Sequence, residues 1–302
     1  MEIKRDEAGT HGARRVVRHQ LSGALECLDT EKLDDEHVHC ARKQLKKARA
    51  TLRLLRDALG DTTYRRENFA LRDVARPLGA VRDGKVLPDT LEALVERYGP
   101  VARAIPVDEL RKALRRERLR SRRALTVSVG KSIRTALRAA HERSARWRVG
   151  DAGWRVIGNG LTRIYSKGRA GFETSRAKRS AENLHEWRKQ VKYLWHGFQL
   201  LEPLWPALIG ELADQAHTLA DYLGDDHDLA VLREKIIEHK DLFAEPASRS
   251  ALLALLDRNR VELQDKAFVL GARIYEERPK EFEARFGRYW NDWQREDRLL
   301  AG

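Results

Sequence analysis

The sequence predicts an all-α protein built by internal duplication, and two observations carry that prediction. Apolar residues recur at helical spacing through almost all of the 302 residues, and no segment sustains strand-like alternation. One cationic helix also occurs twice. His39-Cys40-Ala41-Arg42-Lys43-Gln44-Leu45-Lys46 returns 146 residues later as His185-Glu186-Trp187-Arg188-Lys189-Gln190-Val191-Lys192. Leu78-Gly79-Ala80-Val81-Arg82-Asp83 matches Leu223-Gly224-Asp225-Asp226-His227-Asp228 at an offset of 145, so the repeat reaches beyond one helix. A unit of that length is too long for a solenoid repeat. It predicts two helical bundles packed about an approximate two-fold axis.

The elements follow in order. Ala13 to Leu28 reads as the first helix. Asp34-Asp35 then offers a side-chain cap and negative charge at the start of the first cationic helix. Phe69 to Val81 is a third helix, stopped near Gly84 and Pro88, and a shorter helix over 89–98 ends at Gly99-Pro100. A long, very basic helix is expected from Val107 to Trp147. Gly150-Asp151-Ala152-Gly153 is the clearest break in the chain. After it the order repeats: Trp154 to Lys167, a basic connection over 168–181, the second cationic helix, and helices over 208–223, 229–243, 248–276 and 280–297.

Composition narrows the class. A hydrophobic fraction of 42% excludes wholesale disorder. The net charge of +13 points to acidic partners, and residues 101–150 hold fifteen Lys or Arg against four Asp or Glu. Two cysteines, Cys27 and Cys40, give no disulfide framework and no metal-ligand spacing, which fits a reducing compartment. The polar N-terminus is unlike a secretory signal, and no apolar run approaches a membrane span. A soluble cytoplasmic protein without a membrane partner is the expectation.

The duplicated helix has two sides. At about 100° per residue, His39, Arg42, Lys43, Lys46 and Arg53 share a stripe roughly 100° wide, opposite Val38, Ala41, Leu45, Ala48, Leu52 and Leu55. In the second copy His185, Arg188, Lys189, Lys192 and His196 form the stripe, opposite Leu184, Trp187, Val191, Leu194, Phe198 and Leu201. Solvated faces usually alternate signs, yet no acidic residue lies between His37 and Arg56. Such a run of like charge costs free energy until an anion neutralises it.

These residues resemble a known family. His39-x-x-Arg42-Lys43-x-x-Lys46-x-x-Arg49, the segment at 78–83, and the return of both resemble the CHAD domain, the conserved-histidine α-helical domain. Gly160-Leu161-Thr162-Arg163-Ile164-Tyr165, followed by Gly168-Arg169, is similar to the family's entry to its second half. The closing helices, through Leu270-Gly271-Ala272 and Pro279-Lys280-Glu281-Phe282 to Trp290-Asn291-Asp292-Trp293, are similar as well. The resemblance covers 14–296 as a single domain, with repeats over about 14–149 and 154–296 and terminal segments at 1–13 and 297–302. It implies two pseudo-symmetric four-helix bundles whose cationic helices face a central basic pore or cleft that binds long-chain inorganic polyphosphate. It also implies binding without catalysis. No His-x-x-x-His or paired acidic motif lies on the cationic helices, so neither metal nor cofactor is expected, and binding extends the expectation to polyphosphate granules. One departure stands out: Trp195 occupies the place of a basic residue matching Arg49. Near the edge of the apolar face it reads as core, with His196 and Gln199 partly replacing the cation.

Polyphosphate is a flexible chain of charges without bases, so its receptor needs many cations along a groove. Arg42 and Arg188 suit forked phosphate contacts, and Lys43, Lys46, Lys189 and Lys192 suit point charges. Arg53 and Arg163 extend the set. His39 and His185 either donate to the anion or bond to their own fold. Arg111, Arg115, Arg118 and Arg122 would form a third wall, matched by Arg258 and Arg260, or else a solvated face. Arg82 meets phosphate or pairs with Asp83. Three competing functions remain: nonspecific nucleic-acid binding, a metal-dependent phosphohydrolase around Asp225-Asp226-His227-Asp228, and a scaffold for granules or a partner enzyme.

Overall fold

Every element of the computed structural model is helical; it describes residues 2–30 and 33–300, with side chains through Glu296. Residues 301–302 of the expected C-terminal segment, and Met1 of the N-terminal one, lie outside the described residues. The first half holds α1 (Gly9–Cys27), α2 (Asp35–Leu54), α3 (Arg56–Tyr98), the single turn α4 (Pro100–Arg103), α5 (Asp108–Ala124) and α6 (Val127–Ala145). The second holds α7 (Trp154–Ala177), α8 (Ala181–Leu201), α9 (Pro206–Glu238), α10 (Pro246–Ile274) and α11 (Pro279–Leu300).

Local chemistry sets several boundaries. Asp34 caps α2, its side chain accepting from the His37 amide at 2.9 Å while His37 reaches back to the Asp34 amide. Ser180 caps α8 in the same way, through Asn183. The expected basic helix from Val107 to Trp147 is broken into two, because Thr126 is extended and caps a new helix through the Val129 amide at 3.3 Å. Elsewhere expected breaks are absent. α3 runs through Pro77, Gly84 and Pro88, with its chain deflected only at Gly60, where φ is 71°. Each proline removes one amide donor, but the buried faces of Val74, Leu78 and Val81, then Leu87, Leu91 and Leu94, carry the helix past both. α9 likewise joins the two helices expected over 208–223 and 229–243, and α7 extends ten residues beyond Lys167.

Packing partners recur between the halves. α1 lies on α2, α2 on α3, α3 on α5, and α6 on α1. In the second half α7 lies on α8, α8 on α9, α9 on α10, and α11 on α7. The halves also meet directly, α2 against α8 and α3 against α9. The hydrophobic interior is shared between them. Its larger part joins Leu45 and Leu52 of α2 to Trp187 and Phe198 of α8 and Phe286 of α11. A smaller part joins the far ends of α3 and α5, through Leu91, Leu94, Leu110 and Leu114, to Leu232 and Ile236 of α9 and Leu252 and Leu256 of α10.

One sequence expectation is overturned here. Cys27 and Cys40 form a disulfide that ties the end of α1 to the first turns of α2. They are 13 residues apart in the chain, and the antiparallel packing of α1 on α2 brings their Cα atoms to 5.8 Å. With both thiols in a disulfide, the expected reducing compartment loses its basis.

Candidate functional site

Because α2 and α8 pack side by side, their cationic stripes open onto one cavity of about 460 Å³. From α2 come His39, Arg42, Lys43, Lys46 and Lys47; from α8 come Arg188, Lys192, Trp195, His196 and Gln199. Arg82 of α3 and His217, Asp221, Gly224, Asp225 and Asp228 of α9 complete the wall. Cations from both repeats thus share one space.

Most of the cations in this cavity have no direct partner in the protein, although Asp221, Asp225 and Asp228 share its wall. Among the described residues Arg42, Lys43, Lys46, Lys47, Arg188 and Lys192 make no ion pair or hydrogen bond to the protein. Burial, and then the neighbouring Arg42, Arg82 and Arg188, push Lys46 down to about 8 from the ordinary lysine value. Lys192 falls further, to about 7, through burial, Arg188, Lys46 and Arg82. Arg42 and Arg188 are lowered chiefly by burial, and the Arg188 Nε is a buried donor without an acceptor. Burial holds His196 near 4, so its neutral ring pairs Nδ1 with Gln199 Oε1 at 3.0 Å. His39 is lowered by burial, then by Lys46, Lys43 and Arg42. A crowded, half-buried set of positive charges gains most from an anion that supplies oxygens where the protein offers none in direct contact.

The sequence model of the CHAD domain matches residues 15–236. The chain belongs to the CHAD domain family. Among solved structures, it is similar to PptA from Streptomyces chartreusis, at 13% identity and a TM-score of 0.63, covering 89% of this chain and 99% of that one. That likeness is one of fold. No curated protein matches the chain in sequence.

In this CHAD domain the other expected site residues fall outside the cavity, for identifiable reasons. His185 sits against His227, ring centroids 4.3 Å apart, and burial lowers both imidazoles, His227 to about 4. Arg49 and Arg53 turn towards Asn68, and the Arg53 guanidinium lies 3.8 Å above the Tyr193 ring. Arg53, Arg163 and Lys189 line a second cavity of about 260 Å³ with Arg56 and Lys167. Most of its cations are already paired: Arg163 with Asp57, Arg56 with Asp61, and Lys189 with Glu186.

The expected third wall is absent from the cavity. Arg115 is exposed, Arg118 donates to Asp35 at 2.8 Å, and Arg122 donates to the Leu33 carbonyl. The last two fasten α5 to the start of α2. Arg111 is held by Glu92 and Asp108, and Arg258 by Glu262. Arg260 pairs with buried Asp226 at 3.0 Å, where Gln264 also donates. Asp228 accepts from Arg82 across the halves at 3.3–3.4 Å, so two of the three acidic groups at 225–228 are engaged by cations. Among the described residues no three His, Cys, Asp or Glu side chains are grouped to hold a metal ion, and no helix is long and apolar enough to cross a membrane.

Sequence reasoning missed Lys47, His217 and Asp221 as cavity residues and placed Trp195 in the core. Trp195 is part of the cavity wall, stacked on His196 at 4.4 Å and on His217 at 4.0 Å. Its place beside the cationic stripe was the available signal. The contribution of α9 could be found only by knowing how α9 packs on α8.

Proposed function

We propose that this CHAD domain binds long-chain inorganic polyphosphate in the cavity between α2 and α8, and does so without catalysis. The observation that carries the reading is the convergence, among the described residues, of six unpaired cations from both copies of the repeat, three of them, Arg42, Arg188 and Lys192, half-buried. Arg42 and Arg188 grip phosphate oxygens, the lysines supply adjoining charge, and the two halves act as pseudo-symmetric four-helix bundles in one domain over 14–296. A chain longer than the cavity adds contacts beyond its mouth, so affinity rises with chain length and falls with salt. Association with polyphosphate granules follows from the same binding.

Nucleic acid competes for any cationic surface, but single-strand binders stack bases on free aromatic faces. Among the described residues, the one Trp, Tyr or Phe ring in this cavity's wall, Trp195, is already stacked on two imidazoles. The test is calorimetric titration with long-chain polyphosphate at physiological salt, with duplex DNA, RNA and triphosphate as competitors. Binding that persists in excess nucleic acid supports the proposal, whereas equal affinity for every polyanion reduces it to a generic cationic surface. Arg42→Gln and Arg188→Gln each weaken binding roughly tenfold, the scale of one charge-assisted hydrogen bond, with thermal midpoints unchanged or raised.

A further inference from the structure

The repeat keeps a glycine whose purpose the cationic stripe alone does not explain. Gly79 lies in the middle of α3 and Gly224 in the middle of α9, at equivalent places in the two copies. Neither is at a turn, and neither has a positive φ. A helix interior is where glycine is least favoured, because it surrenders the most backbone freedom there. Each must therefore be explained by what approaches it.

The same thing approaches both. A Cβ built on Gly79 would lie 2.9 Å from Arg42 Nη1, and nothing else would come within 4 Å. A Cβ on Gly224 would lie 2.9 Å from Arg188 Nη2 and 3.2 Å from Nε. In each copy a guanidinium from the cationic helix lies over bare backbone on the neighbouring helix. The two contacts are the same contact, made once per repeat.

We infer that Gly79 and Gly224 are positioning residues, forming seats that hold the Arg42 and Arg188 guanidiniums at the floor of the cavity. This rests on the proposed function and adds to it which residues set the depth and direction of the two forked donors. A methyl group at either seat lifts the guanidinium away from α3 or α9. The clash is with the far end of a flexible side chain, so the arginine moves while the helices stay. Alanine also favours the helix, so the unfolding midpoint holds or rises as the donors are displaced. Improved folding with impaired binding is a combination that a purely structural glycine does not give.

The experiment uses the full chain carrying Gly79→Ala, Gly224→Ala or both, titrated with long-chain polyphosphate and followed by thermal unfolding. Each single variant is expected to bind at least fivefold more weakly, with an unfolding midpoint no lower than that of the parent. Gly79→Ala added to Arg42→Gln should cause no further loss, and likewise Gly224→Ala added to Arg188→Gln. Wild-type affinity in the alanine variants, or the same loss persisting in the glutamine backgrounds, overturns the inference. Crystal structures of the two alanine variants separate this from the binding proposal. A displaced guanidinium supports the seat even if the parent protein ignores polyphosphate, and an undisplaced one overturns it even if binding is tight.

Discussion

Lys192 is the side chain where burial and charge conflict most plainly. Its ordinary value of 10.5 falls to about 7 in the folded protein, so the unfolded chain binds more protons between those limits. The charged form is thus a cost to folding that is fully present below pH ~7 and is relieved as pH rises towards 10.5. Lys192→Met should raise the thermal midpoint by about 2 °C or more at pH 6.5, and by less at pH 9.5, while weakening polyphosphate binding. In the parent protein an anion stabilises the ammonium, so binding at pH 8 takes up protons. Calorimetry in two buffers of different ionisation heat checks this, and equal heats in both would contradict it. Affinity should fall from pH 7 to pH 9.5 as Lys192 and then Lys46 lose their protons in the free protein.

At the scale of elements, the arginine-rich α5 separates cations that hold the fold from those left for a ligand. Its helical spacing is as regular as that of α2, yet Arg111, Arg118 and Arg122 are all engaged by protein oxygens. Arg118→Gln with Arg122→Gln should therefore change polyphosphate affinity by less than about twofold. Stability should fall modestly, by roughly 1 kcal/mol or less, because these pairs are partly exposed. A tenfold loss of affinity would return α5 to the binding surface. The same contrast explains what was legible in the sequence. The stripes of α2 and α8 could be drawn from 100° steps alone, but Arg118 and Arg122 differ from Arg42 only in what lies opposite them. Asp35 and Leu33 reach α5 from 83 and 89 residues away.

At the scale of the whole molecule, the interior does not divide at the sequence repeat. Both clusters of buried side chains draw on both halves, and α2 packs on α8. Residues 1–150 alone would lose every second-half member of both clusters and expose apolar surface of α2, α3 and α5. Heating the whole chain should give a single cooperative transition, whereas the isolated half should show no sharp one. Two separate transitions in the intact protein would show that the halves are thermodynamically independent.

By itself, the sequence determined the helical class, the duplication, both amphipathic cationic helices, the Asp34 cap and the identities of the main cavity cations. These follow from periodicity and local hydrogen bonding, which act over a few residues. Tertiary structure decided which cations face a partner and which face the cavity. It also carried α3 past two prolines, paired Cys27 with Cys40, and brought α9 with Trp195 into the wall. Each of these depends on groups far apart in the chain. Burial, desolvation and ion pairing are set by what packing brings together, and no local pattern of residues encodes that.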